Sequence, residues 1–232
     1  MQQLARWELS GVIGAVVVVD VIRAFSTAAY AFGAGASEIY LVDSVEEALA
    51  FKAAHPGSLA MGEDRGRRPD GFDFPNSPAM VGRADLQGRT LVQRTSAGTR
   101  GVVAAQDATR LWAASLAVAS ATAAAVRSSD LGEPTYVITG LVDHRPDRAA
   151  ADDILTAEVI DALRLGESVE PESVSAALLA TEEARLTLAL GPDHCDPTDI
   201  DLASRVDEFD FAMEVERTAA GLRLVRTADP DG

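Results

Sequence analysis

Four stretches of this chain put polar groups where a buried strand gives out. The run Val16-Val17-Val18-Val19 stops at Asp20, the first charge since Glu8, and Arg23, Ser26 and Thr27 follow closely. Residues 58–62 close on Glu63 and open a long polar loop. Residues 89–95 run straight into Ser96-Ala97-Gly98-Thr99-Arg100-Gly101. Residues 135–139 end at Thr139-Gly140, and the acidic pair Asp152-Asp153 comes shortly after. A carboxylate at the carboxyl end of a buried strand lies where open α/β sheets bind ligands. Its competing role is to cap the next helix.

The chemistry these groups suit is anion handling. In the 96–101 junction two glycines let the backbone turn, hydroxyls supply donors, and the following helix adds N–H groups with a positive dipole. The junction lacks the Gly-Lys-Ser/Thr ending of a P-loop. Asp20, Glu63, Asp73, Asp152 and Asp153 are candidates to hold Mg²⁺, which prefers oxygen ligands and is often bound by one or two carboxylates plus substrate phosphate. The histidines His55, His144 and His194 are too far apart in sequence for a zinc pair. No Gly-x-Ser-x-Gly elbow exists, so a hydrolase triad of that kind is not supported. A phosphatase that works through an aspartyl-phosphate of the haloacid-dehalogenase type needs a second Asp two residues after the first, where this chain has Ile22. The single cysteine, Cys195, has no Arg shortly downstream and reads as a bystander.

The elements that must carry these groups alternate between strand and helix. The valine run, β-branched and apolar at every position, suits a strand buried on both faces of a largely parallel sheet. Residues 28–34 follow as a small-residue helix, 38–42 as a strand, and 45–54 as a helix capped by Ser44. Five Gly and Pro residues keep 64–78 irregular, pinned by Phe72 and Phe74. Further helices are expected over 102–106, 117–127, 148–165 and 172–190, with strands over 89–95, 111–115, 135–139, 209–217 and 222–227. The pattern predicts a three-layer α/β/α domain spanning 1–232, with its motifs in about 15–165 and an acidic C-terminal subdomain over about 166–232.

Charge separates those parts. Residues 1–150 hold 14 Lys and Arg against 16 Asp and Glu, a net of −2, while residues 151–232 hold 6 against 20, a net of −14. A chain at −16 repels nucleic acid and anionic membrane. The balanced part nevertheless carries Arg23, Arg65, Arg67, Arg68, Arg94 and Arg100, whose planar forks suit carboxylate, sulfonate and phosphate oxygens. No apolar run approaches the length of a membrane span, and the N-terminus lacks a signal-peptide pattern, so a cytoplasmic enzyme is expected. Nothing in the sequence sets the oligomeric state, and a homo-oligomer is allowed.

Four motifs stand in order along the chain: Asp20-Val21-Ile22-Arg23-Ala24-Phe25-Ser26-Thr27; Gly62-Glu63 with Gly71-Phe72-Asp73 and Asn76-Ser77-Pro78; Thr95-Ser96-Ala97-Gly98-Thr99-Arg100; and Ala151-Asp152-Asp153-Ile154-Leu155-Thr156-Ala157. Together they resemble the 2-phosphosulfolactate phosphatase (ComB-like) family. The chain departs from the family pattern at Ala97, where Asn is usual, and at Asp152, where Glu is usual. The resemblance implies a three-layer α/β fold of two related subdomains and a Mg²⁺-dependent phosphomonoesterase. Its substrate would be 2-phospho-3-sulfolactate, an intermediate of coenzyme M synthesis. On this basis Asp20, Arg23, Glu63, Arg100 and Asp152 are the expected catalytic set, with Asp20, Glu63 and Asp153 at the metal. Ser26, Thr27, Asn76, Ser77, Thr95, Ser96, Gly98 and Thr99 are expected at the substrate, with Arg65, Arg67 and Arg68 at its distal end. The alternatives are a phosphatase for another small phosphorylated hydroxy acid, or a family member that binds anions without turnover.

Overall fold

In the computed structural model, which describes residues 1–141 and 150–228, the valine run is fully enclosed. Side chains of a strand alternate between faces, and here Val16 and Val18 enter one core while Val17 and Val19 enter another. The chain opens with a short strand, β1 (Gln2–Leu4), then β2 (Ala15–Val19) and the helix α1 (Ala24–Gly33). β3 (Glu38–Val42), α2 (Val45–Ala54) and β4 (Leu59–Gly62) follow. Ser44 caps α2 by accepting from the Glu47 N–H at 3.1 Å. The irregular loop contains a two-residue strand, β5 (Phe74–Pro75), and leads to α3 (Pro78–Gly82). Then come β6 (Thr90–Arg94), α4 (Gly98–Ala104), β7 (Arg110–Ala114), α5 (Ala119–Arg127) and β8 (Thr135–Ile138). The last third holds α6 (Ala151–Arg164), α7 (Pro171–Leu179), α8 (Glu182–Leu188), α9 (Asp199–Ser204) and the hairpin β9 (Phe211–Thr218) and β10 (Gly221–Ala228).

The described strands form one ten-stranded sheet in the order β1-β8-β2-β7-β9-β10-β3-β6-β4-β5. Helices cover both faces, giving the three-layer α/β/α arrangement. Strands β1, β8, β2 and β7 are mutually parallel, as are β3, β6, β4 and β5. The hairpin joins the two sets through antiparallel pairings on both sides. Three antiparallel steps separate β7 from β3, so the two halves run in opposite directions. The largely parallel sheet expected around the valine run is thus two parallel sets of opposite direction. The residues that follow β2 and β6 still meet: Gly98 lies against Asp20 and Ala24, and α1 and α4 pack into one core with residues of both halves.

Three helix boundaries also differ from expectation. The helix after the valine run begins at Ala24 and takes Ser26 and Thr27 into its buried first turn. Helix α4 begins inside the Gly-rich junction, at Gly98, instead of after it. The stretch read as one helix over 172–190 is two, because Thr181 turns out of the helix and caps α8 by accepting from the Ala184 N–H at 3.2 Å.

Candidate active site

The carboxyl ends of β2 and β8, the first turn of α6 and the N-terminal turn of α8 enclose a cavity of about 420 Å³. Five carboxylates line it: Asp20, Asp152, Asp153, Glu182 and Glu183. Its remaining wall includes Ile22, Ala97, Thr139 and Gly140, and among the described residues no Lys or Arg lines it.

Asp20 terminates the valine strand, and its Oδ1 accepts from the Ala24 N–H at 3.0 Å, so it also caps the start of α1. Gly98 lies directly against it. A Cβ at that position would stand 2.8 Å from Asp20 Oδ2 and 2.8 Å from Ala24 Cβ. Asp153 is held on both oxygens. Oδ1 accepts from the Val21 N–H at 3.0 Å, while Oδ2 accepts from the Gly140 N–H at 2.8 Å and Thr139 Oγ1 at 3.2 Å. These bonds tie the head of α6 to the ends of β2 and β8. Asp152, beside it, is 4 % exposed, and its Oδ1 has no hydrogen-bond donor among the described residues.

Burial and mutual repulsion act together on this trio. Burial pushes Asp20 up to about 6, assisted by the charge of Glu63. Asp152 rises to about 7 through burial and the charges of Glu183 and Asp20. Asp153 lies well above the ordinary carboxylate range for the same reasons, with Asp152 as its largest like-charge neighbour. Desolvated carboxylates this close favour the protonated form, and a cation among them would favour the charged form instead.

Asp20, Asp152 and Asp153 therefore converge, with Gly98 packed behind Asp20. Glu63 stands one layer back. Its carboxylate accepts from the Ser96 N–H, from Ser96 Oγ at 3.0 Å and from the Gly66 N–H at 2.6 Å. The donors of Ser96, expected at the phosphate, are thus directed at an acid of this chain. Thr95 and Thr99 satisfy each other: the Thr99 N–H donates to Thr95 Oγ1 at 3.0 Å, and the Thr95 N–H donates to Thr99 Oγ1 at 2.9 Å. Arg23 leaves the cavity and pairs with Asp199 at 2.7 Å, both groups being buried. Arg100 pairs with Asp43 at 3.0 Å on the surface.

The remaining expected contacts are distributed around this centre. Ser26 donates to the Val21 carbonyl at 2.8 Å, and Thr27 is buried beside it in α1. Ser77 donates to Asp199 at 2.6 Å, and Asn76 is buried with its Oδ1 lacking a donor. Asp73 pairs with Lys52 at 2.7 Å, away from the cavity. The Arg65 N–H reaches Ser96 Oγ at 3.0 Å, whereas the side chains of Arg65, Arg67 and Arg68 are exposed and form no ion pair among the described residues. His144 lies outside the described residues. Glu182, Glu183 and Asp199 escaped the sequence reading. The usable signal was Thr181 followed by two acids, a helix-start pattern inside a stretch otherwise read as continuous helix.

The family profile described as 2-phosphosulpholactate phosphatase matches residues 5–216. A Thermus thermophilus protein named probable 2-phosphosulfolactate phosphatase is 39% identical over 172 residues, covering 73% of this chain and 70% of its own. One of the same name from Thermoplasma acidophilum is 31% identical over 198 residues, covering 85% and 84%. A Bacillus subtilis protein, again so named, is 33% identical over 153 residues, or 66% of this chain and 65% of that protein. The chain belongs to the 2-phosphosulfolactate phosphatase family.

The family's acidic motif, Asp152-Asp153, divides its labour here. Asp153 fastens the scaffold with both oxygens, whereas Asp152, which lines the cavity beside Asp20, has an Oδ1 with no donor among the described residues. Among the described residues no three His, Cys, Asp or Glu side chains form a ready-made metal cluster. Asp152, whose Oδ1 is enclosed without a donor among the described residues, and Asp20 in the same wall nevertheless suit a hard divalent ion that keeps several waters and takes further ligands from phosphate.

Proposed function

We propose that this chain is a phosphomonoesterase that converts 2-phospho-3-sulfolactate to 3-sulfolactate and phosphate, with Mg²⁺ held by Asp20 and Asp152. The observation that carries the reading is the cavity itself, lined by five carboxylates and, among the described residues, by no Lys or Arg. A substrate bearing phosphate, carboxylate and sulfonate is repelled by such a wall, so its entry requires a cation at the carboxylates. Held there by Asp20 and Asp152, Mg²⁺ would supply charge neutralisation for the phosphoryl oxygens and a lower pKa for water.

The residues of the chain do the rest. Asp153 and Thr139 hold the β8–α6 junction in place, and Gly98 allows α4 to approach Asp20 without a side chain between them. In the step itself a water oxygen bonds to phosphorus and the bond from phosphorus to the C2 oxygen breaks. The water's proton passes to a cavity carboxylate and from there to the departing alkoxide, leaving a hydroxyl on the product. The same reading makes the protein a cytoplasmic enzyme of coenzyme M synthesis with a small anionic substrate and no nucleic-acid partner, as a charge of −16 favours. No helix among the described residues is long and apolar enough to cross a membrane.

The test is phosphate release from 2-phospho-3-sulfolactate and from 2-phospholactate, each with Mg²⁺. Release from the sulfonated ester at the higher kcat/KM supports the reading. Equal turnover of both moves the assignment to another phosphorylated hydroxy acid, and release from neither removes it.

A further inference from the structure

Helix α8 carries a carboxylate that neither the sequence motifs nor the family comparison assigns. Thr181 caps the helix, which places Glu182 and Glu183 in its first turn, and both line the acidic cavity. The two are not equivalent. Glu182 is about two-thirds exposed and pairs with Arg185 at 3.1 Å. Glu183 is half-buried, and its Oε2 is enclosed with no hydrogen-bond donor among the described residues. Across the same cavity Asp152, 4 % exposed, has an Oδ1 in the same condition. Of the charges around Asp152, that of Glu183 bears on it most, ahead of Asp20.

Two enclosed carboxylate oxygens without donors among the described residues, on different elements whose side chains line one cavity, form an arrangement that costs free energy unless something positive lies between them. We propose that Glu183 is a further cation ligand, so that a divalent ion joins Asp152 on α6 to Glu183 on α8 and fastens α8 over the cavity. This deepens the cation-dependent reading given above and rests on it. It gives the acidic C-terminal part of the chain a role at the site: α8 supplies a ligand as well as a wall.

The experiment is Mn²⁺ binding to the full chain, followed by the loss of the free-ion electron paramagnetic resonance signal. Hydrogen exchange over residues 182–188 is measured in parallel with and without the ion. For Glu183→Gln we expect at least about tenfold weaker binding, the loss of one charge-assisted contact, and no ion-dependent protection of α8. Glu183→Asp, which keeps the charge, should recover part of the affinity. Glu172→Gln removes the same charge from an exposed position on α7 outside the cavity wall and should change affinity by less than about twofold. Equal Mn²⁺ affinity in wild type and Glu183→Gln, with α8 still protected by the ion, overturns the role of Glu183 and leaves the cation reading standing. Absence of Mn²⁺ binding to the wild type overturns both.

Discussion

Gly98 and Asp20 occupy one another's space so closely that neither tolerates a larger neighbour. With 2.8 Å between a notional Cβ and both Asp20 Oδ2 and Ala24 Cβ, Gly98→Ala must push Asp20 off its Ala24 N–H bond or shift α4. Overpacking of this kind costs about 1–3 kcal/mol. The expected result is a lower denaturant midpoint together with turnover reduced about tenfold or more at a temperature where the variant is still folded. Wild-type turnover in a folded Gly98→Ala protein would separate Gly98 from the site. The carboxylates make a second prediction, on pH. Folded values for Asp20 and Asp152, about 6 and about 7, lie above the ordinary 3.8, so protonation favours the native state. Their contribution to stability is full below about pH 4 and is lost as pH rises through the folded values. In EDTA, the melting temperature of wild type should therefore fall more steeply between about pH 4 and pH 7 than that of Asp152→Asn. Parallel profiles would mean that Asp152 is not held protonated.

At the scale of elements, the 189–204 segment is pinned by one buried acid. Asp199, which heads α9, accepts from Arg23 Nη1 at 2.7 Å, Ser77 Oγ at 2.6 Å, the Ala79 N–H at 3.1 Å and the Asp196 N–H at 2.9 Å. These partners come from the β2–α1 turn, the start of α3 and the chain just before α9, so Asp199 ties three elements together. Removing one partner of a buried pair leaves the other charge stranded, at a cost of about 3–5 kcal/mol. Asp199→Ala should lose about that much in equilibrium unfolding, and Arg23→Met combined with Asp199→Leu should lose less than either single change predicts. Additive losses would show that the two groups are not coupled. The same contacts explain what was legible in the sequence. Asp20, Asp152 and Asp153 could be singled out because a strand end and a helix start are local features. Arg23 and Ser96 were expected at the phosphate because a motif shows a donor without its partner; their acceptors, Asp199 and Glu63, lie 176 and 33 residues away. Glu183 was missed because its approach to Asp152 depends on how α8 packs.

At the scale of the whole molecule, the strand and helix alternation foretold the layers, while the strand order could not be foretold. Hairpin β9–β10, written last, occupies the middle of the sheet, and the bidentate contact of Arg110 with Glu214, at 2.8 and 2.6 Å, joins β7 to β9. The hairpin makes the two parallel halves run oppositely, which no local pattern announces, since each pairing spans a long stretch of chain. The cavity draws on this assembly: Asp20 from one half, Ala97 from the other, and Glu183 from the segment between α6 and the hairpin. The net charge of −14 over residues 151–232 thus includes groups that face the site as well as solvent. The acidic cavity is proposed to hydrolyse a phosphate ester only with a divalent ion on Asp20 and Asp152. The most direct measurement is phosphate release from 2-phospho-3-sulfolactate by wild type and Asp20→Asn, in EDTA and after Mg²⁺ is restored. The account predicts turnover by wild type with Mg²⁺, loss in EDTA, recovery on Mg²⁺ addition, and a rate at least about 10²-fold lower for folded Asp20→Asn under every condition. Undiminished release in EDTA, or by Asp20→Asn, would contradict it.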